Sequence, residues 1–249
     1  YSGMSAARKI KKTGSGELFL CGVGLDFVND ITFETISVLR SCDVAFYDQN
    51  DRQRLTKALK IFAPGLRVTF IGGQTTDLNV SFDILLAELK KGRRVAYITY
   101  GHPLLFGEGA DLADKCLRHG CGFKVVSAVS AIDRLLGVFA ERGELILNNG
   151  FSVCYAEDLL DPARQLPLCS PLIIFCACEA LKKHGEKLWR SIERNYPADH
   201  PVYLVRLADC VGKTLFRAVR VKELRASTGL IEHRASIILP AVIRNRPAA

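Results

Sequence analysis

Residues 94–107 read RVAYITYGHPLLFG. A short apolar run, Val95–Thr99, stops at Tyr100-Gly101-His102-Pro103 and resumes as Leu104-Leu105-Phe106 before a second glycine, Gly107. The first run has the length and the aromatic and β-branched content of a buried strand. Glycine lets a ligand approach the backbone closely, and proline holds the turn stiff. Ligands of open α/β sheets bind beyond the carboxyl ends of the strands, where the loops leave the sheet. The segment is therefore expected to be a strand whose exit loop faces a ligand.

A second exit of the same kind lies upstream. Glu17-Leu-Phe-Leu-Cys-Gly22-Val-Gly24 is an apolar strand ending in Gly-x-Gly. Gly-x-Gly alone is weak, because the third glycine of a dinucleotide fingerprint and the lysine of a phosphate loop are both missing. Two glycine exits on separate strands carry more weight. Strands expected at 43–48, 67–71, 94–99 and 123–127 alternate with helices at 30–40, 55–62, 81–91 and 109–119. That alternation predicts an open, mostly parallel sheet. Farther on, helices at 131–142 and 180–196 and strands at 151–156, 171–176, 201–207, around 213–220 and at 235–239 predict a more mixed unit. The fold class is α/β in two domains, 16–127 and 128–249, with a mostly parallel N-terminal sheet and a mixed C-terminal sheet. Residues 1–15 are expected to form a disordered leader. Met4 is the only methionine, so Tyr1–Gly3 reads as a non-native addition and Met4 as the native start.

Composition bounds the function. With 249 residues, 49% hydrophobic and 24% charged, the chain can bury a core and is not a disordered polymer. The longest apolar run, Pro171–Cys178, falls short of the ~20 residues a membrane span needs. The N-terminus is polar and basic, with no signal-peptide pattern, so a cytoplasmic protein is expected. The nine cysteines include no CxxC pair, and Cys116 and Cys121 have no second pair to complete a zinc site. Buried free thiols and no metal are expected. The net charge of +8 sits partly in Arg8-Lys-Ile-Lys-Lys12 and is otherwise scattered. It favours an acidic ligand only weakly, and no Lys/Arg and aromatic run outside the leader points to nucleic acid.

Several segments taken together carry a family resemblance. Residues 16–48, GELFLCGVGLDFVNDITFETISVLRSCDVAFYD, resemble the opening of the tetrapyrrole (corrin/porphyrin) methylase superfamily. Residues 92–107, GRRVAYITYGHPLLFG, resemble its second glycine loop. The Tyr-Gly-His-Pro form is similar to the borosin peptide α-N-methyltransferases. Residues 122–136 (GFKVVSAVSAIDRLL), 195–210 (NYPADHPVYLVRLADC) and 235–241 (ASIILPA) resemble later segments of the superfamily. The resemblance implies two α/β domains, a homodimer and S-adenosylmethionine held in a cleft between the domains. By the same resemblance, Gly101, His102, Pro103, Leu104 and Phe106 line the methionine and sulfonium end. Ser130 and Ala131 lie close to the cofactor, and Phe175, Cys176, Ala177, Leu207 and Ala208 face the adenosine.

The remaining candidates come from the strand exits. Gly22 and Gly24 either touch substrate or serve a tight turn. Tyr100 either donates a hydrogen bond to substrate or packs. Gln74 and Asp77 lie in the loop where the family keeps its chemistry, Asp77 as a base or as a helix cap. Asp26 and Asp30 either poise a substrate group or, the reading favoured, serve as helix caps. Cys176 and Cys178 are expected to alternate along one strand. Borosin enzymes carry an Arg and a Tyr after the third strand; residues 70–82, FIGGQTTDLNVSF, contain neither. The expected activity is S-adenosylmethionine-dependent methylation of a peptide in trans or of a small molecule. The alternative is a cofactor-binding pseudoenzyme that serves as a partner or regulatory subunit. Ribosomal RNA, corrinoid and porphyrin acceptors are weaker readings.

Overall fold

The computed structural model describes residues 16–47, 51–71, 78–208 and 212–242. The chain divides into two compact units, the first ending at Ala131 and the second beginning at Ile132.

The first unit is a parallel sheet of five strands: β1 (Glu17–Gly22), β2 (Val44–Tyr47), β3 (Val68–Phe70), β4 (Arg94–Thr99) and β5 (Gly122–Val126), in the order β3-β2-β4-β1-β5. Its helices are α1 (Phe33–Arg40), α2 (Arg52–Phe62), α3 (Leu78–Lys90) and α4 (Gly109–His119). Side chains of a strand alternate between faces. On β1, Phe19 and Cys21 join the cluster that includes Leu39 of α1 and Leu55 and Leu59 of α2. Leu18 and Leu20 join Leu85 and Leu89 of α3 and Leu112 of α4. Both faces are thus covered, and the central strands read as continuous apolar runs for that reason. In the β1–β4 register, Leu20 lies beside Tyr97 and Gly22 beside Thr99. The two strands end level, so their exit loops leave the sheet side by side.

The second unit holds α5 (Ala131–Glu141, whose first residue belongs to the first unit), β6 (Ser152–Tyr155), β7 (Leu172–Phe175), α6 (Ala177–His184), α7 (Lys187–Asn195), β8 (Pro201–Arg206), β9 (Leu215–Arg220) and β10 (Ala235–Leu239). The sheet order is β6-β7-β10-β8-β9. β6 and β7 pair in parallel, and the other pairs are antiparallel, which makes the sheet mixed. Trp189, 1% exposed, anchors the core with Leu188 and Ile192, and its indole N–H donates to Thr228 Oγ1 at 3.1 Å.

Three local readings are corrected. The helix expected over 180–196 is two helices, broken at Gly185, whose φ of 57° and ψ of −132° are open to glycine. The strand expected to carry Cys176 and Cys178 ends at Phe175; Cys176 is a left-handed junction residue and Cys178 lies in α6. Helix α1 is capped by Thr32, whose hydroxyl accepts the Thr35 N–H, and not by Asp30. No helix among the described residues is long and apolar enough to cross a membrane.

Candidate functional site

Three exit loops of the first unit converge on Gly22. A Cβ placed there would lie 2.5 Å from the Gly101 carbonyl oxygen, 2.7 Å from Ala128 Cβ and 2.9 Å from Pro103 Cδ. Those neighbours belong to the loops after β4 and β5, so only glycine lets the three loops close. Gly24, at φ +75°, would drive a Cβ into Asp30. The amide of Gly101 donates to the Gly24 carbonyl at 3.0 Å, and that of Val23 donates to Thr99 O at 3.1 Å. Thr35 Oγ1 donates to the Gly22 carbonyl at 3.0 Å, which pins the first turn of α1 to the end of β1.

The loop after β1 is organised by its own acids. Asp30 Oδ2 accepts the amides of Leu25 at 3.1 Å and Asp26 at 2.9 Å. Asp26 Oδ1 accepts those of Val28 at 3.0 Å and Asn29 at 3.2 Å, and its Oδ2 accepts the Asn29 side-chain amide. Both carboxylates face inward, at 9% and 7% exposure. Sequence reasoning read these acids as helix caps; an Asp-x-x-x-Asp pair in a glycine exit was the signal for a loop organised around carboxylates.

The loop after β4 is held at both ends. Pro103 sits between Gly22 and Gly109, where an added Cβ would run into the Pro103 carbonyl. His102 Nδ1 accepts the Leu104 amide at 3.2 Å, and its carbonyl accepts the Leu105 amide at 3.1 Å. The imidazole thus shapes the loop. Leu104 is exposed and Phe106 half-buried. Phe106 takes φ 53°, a left-handed conformation that costs a non-glycine residue about 1–3 kcal/mol and recurs at ligand sites. The Tyr97 hydroxyl donates to Glu108 Oε2 at 2.7 Å, which fixes the far end of the loop. Tyr100 packs edge-on against Phe27, with ring centroids 6.1 Å apart. Ser130 is buried just before α5, and Ala131 opens that helix.

In the second unit, Phe175 ends β7 and Cys176 turns the chain at φ 60°, ψ 29° into α6, which Ala177 begins. Burial, and after it Glu179 and Glu157, push the Cys176 thiol up to about 11. The thiol is neutral near neutral pH and is not a thiolate nucleophile. Leu207 and Ala208 follow β8 half-buried, and the Ala208 amide donates to Thr214 Oγ1 at 3.1 Å. Gln74 and Asp77 lie outside the described residues. A shallow cleft beside β3, lined by residues such as Leu59, Pro64, Leu66 and Phe70, includes none of the predicted site residues.

A model of the family Tetrapyrrole (Corrin/Porphyrin) Methylases matches residues 17–208. The chain belongs to this family. Its members are S-adenosylmethionine-dependent methyltransferases. Among the tetrapyrrole methylase relatives, a siroheme synthase of Pseudomonas fluorescens (strain SBW25) is 27% identical over 236 residues, 87% of this chain and 49% of that protein. Siroheme synthase 2 of Halorhodospira halophila is 31% identical over 117 residues, 47% of this chain and 24% of its own length. The chain spans about half the length of the P. fluorescens relative. A uroporphyrin-III-C-methyltransferase from Thermus thermophilus superposes with a TM-score of 0.69 at 22% identity, over 91% of this chain and 92% of that one. A cobalt precorrin-4 methyltransferase of cobalamin biosynthesis gives 0.67 at 20%, over 90% and 94%. At these identities the two structures show the fold.

Proposed function

We propose that the chain is an S-adenosylmethionine-dependent methyltransferase acting on a small-molecule acceptor of the tetrapyrrole class. The observation that carries the reading is the closure of three strand-exit loops on Gly22 in a chain of the tetrapyrrole methylase family. The names of the relatives, siroheme synthases and a uroporphyrin methyltransferase, support the acceptor class. Peptide α-N-methylation has no counterpart among the relatives named above, and residues 71–82 carry neither Arg nor Tyr.

The residues present suit the cofactor. The loops over 22–32 and 100–108 hold no Lys or Arg to repel a sulfonium cation. They offer backbone groups and the apolar Leu104 and Phe106. When bound, S-adenosylmethionine would supply an activated methyl group for in-line displacement by an acceptor nucleophile. That chemistry depends on alignment more than on an acid–base set. Gly101, His102, Pro103, Leu104 and Phe106 hold the methionine end, with Ser130 and Ala131 beside it. Phe175, the neutral Cys176, Ala177, Leu207 and Ala208 are assigned to the adenosine. Tyr100 orients the acceptor. The protein works in the cytoplasm as a homodimer, which sedimentation equilibrium tests.

The deciding experiment is transfer of a labelled methyl group from S-adenosylmethionine to uroporphyrinogen-type and corrinoid acceptors. Labelled product is expected with at least one. The lack of Arg and Tyr in 71–82 favours a second reading, a cofactor-binding pseudoenzyme, which turnover on any acceptor would exclude.

A further inference from the structure

The run Cys116-Leu-Arg-His-Gly120-Cys121 joins the end of α4 to β5 and carries a thiol at each end. Gly120, at φ 66°, turns the chain out of the helix through the left-handed region. The Cys121 amide donates to the Cys116 carbonyl at 2.9 Å, and the Gly120 amide donates to the Leu117 carbonyl at 3.3 Å. These two bonds make a Schellman motif, in which the residue after the glycine packs against the residue five positions earlier. Here both of those residues are cysteines. Standard bond lengths on either side of the 2.9 Å hydrogen bond keep their α-carbons less than about 7 Å apart. Disulfides span about 4.4–6.8 Å between α-carbons, so the turn already holds the pair at bridging range. Both side chains also enter one apolar cluster, with Leu85, Leu89 and Leu112.

The two thiols are free and unequal. Cys116 is fully buried, whereas Cys121 keeps 7% exposure, with its Sγ 3.9 Å from the His119 carbonyl oxygen. Burial, and after it the neighbouring Cys121, push the Cys116 thiol up to about 12, so the two sulfurs lie within electrostatic reach of each other. Burial also raises Cys121, against the opposing pull of Lys90. We infer that Cys116 and Cys121 are a redox-modification site, which closes to an intrachain disulfide by exchange with a low-molecular-weight disulfide such as oxidised glutathione. Cys121, at the open edge, is the entry thiol. Its thiolate attacks one sulfur of the reagent; a mixed disulfide forms as the reagent's S–S bond breaks, and one glutathione leaves as thiol. The Cys116 thiolate then attacks Cys121 Sγ, the mixed S–S bond breaks, and the second glutathione leaves. In all, the protein gives up two electrons and two protons, and the reagent takes them. The bridge stands apart from the methyl-transfer site: Gly122 pairs with Glu17, where β1 begins, at the opposite end of that strand from Gly22.

Peptide mapping tests this on the full chain. The reduced protein, freed of reductant, is incubated with oxidised glutathione in mildly alkaline buffer, because raised thiols supply little thiolate at neutral pH. It is then quenched with acid, blocked with N-ethylmaleimide and digested with trypsin. Cleavage after Lys115, Arg118 and Lys124 puts Cys116 on residues 116–118 and Cys121 on residues 119–124, so the bridge is read by mass as these two peptides joined. The joined pair is expected to accumulate and to disappear on addition of dithiothreitol. In Cys116→Ala, glutathione is expected to stay on Cys121; in Cys121→Ala, Cys116 is expected to stay unmodified over the same time. A thermal melt confirms that each variant is folded. Two thiols that stay free in the parent chain, glutathione that persists there on Cys121, or pairing of either thiol with another cysteine would overturn the inference. Equal modification of Cys116 in Cys121→Ala would overturn the assignment of Cys121 as the entry thiol.

Discussion

Gly101 donates its amide to the carbonyl of Gly24 at 3.0 Å, an antiparallel bridge between two loops whose parent strands run parallel. Both glycines are in the left-handed region, at φ +69° and +75°. Such a bridge forms only when each chain reverses sharply after leaving the sheet, a reversal that side-chain-bearing residues resist. The candidate site is built on that crossing.

Crowding at Gly22 makes the first prediction. Gly22→Ala is expected to destabilise the fold by about 1–3 kcal/mol, because the new methyl overlaps atoms of the two neighbouring exit loops, those after β4 and β5. Gly107→Ala is the matched control. Nothing lies within 4 Å of an added Cβ there, so a change within about 0.5 kcal/mol is expected. Urea denaturation of both variants checks the contrast.

The acids of the first loop make the second. Asp30→Ala strips the acceptor from two buried amides, Leu25 and Asp26, and is expected to cost about 2 kcal/mol or more. Thr32→Ala removes a helix cap and is expected to cost about 1 kcal/mol. If Asp30 were only a helix cap, the two losses would be equal in the same denaturation assay.

Much of this architecture was legible in the sequence, for physical reasons. Apolar runs such as Leu18–Cys21 and Val95–Ile98 mark strands buried on both faces, and their glycine exits mark the ligand end. Less legible was anything decided by one backbone angle. Nothing in Phe175-Cys176-Ala177 announces a left-handed cysteine, since its neighbours read as a continuing strand. Gly185 sits in a run of good helix formers and breaks it through a turn that propensity alone does not reveal. Asp30 sits near enough to α1 to look like its cap, and only the fold of the loop turns it back to Leu25 and Asp26.

Left-handed strain at Cys176 makes the third prediction. Cys176→Ala keeps the strain and Cys176→Gly relieves it, so the glycine variant is expected to be at least as stable as the alanine variant, by up to about 1 kcal/mol. If the strained turn serves the cofactor, the glycine variant binds S-adenosylmethionine more weakly than the alanine variant. Thermal melts with and without cofactor read both effects.

Buried thiols make the fourth. Burial raises Cys42, Cys154 and Cys176 to about 11 and Cys116 to about 12, from an ordinary 9.0. Unfolded thiols ionise first as pH rises, so this stability is whole below pH 9.0 and is lost progressively toward the folded values. Under reducing conditions the urea midpoint is expected to fall between neutral pH and the alkaline range. Replacing Cys42, Cys154 and Cys176 by alanine should flatten that fall, and an unchanged pH slope in the variant would argue against the thiols as its source.

The most direct test of the central claim is titration calorimetry of the full chain with S-adenosylmethionine and, separately, S-adenosylhomocysteine. Binding on the order of micromolar to sub-millimolar is expected, lost in a His102→Ala, Pro103→Ala double variant that still melts cooperatively. Absence of heat with both ligands, or undiminished binding in the double variant, would contradict a cofactor site built on the Gly101–Gly107 loop.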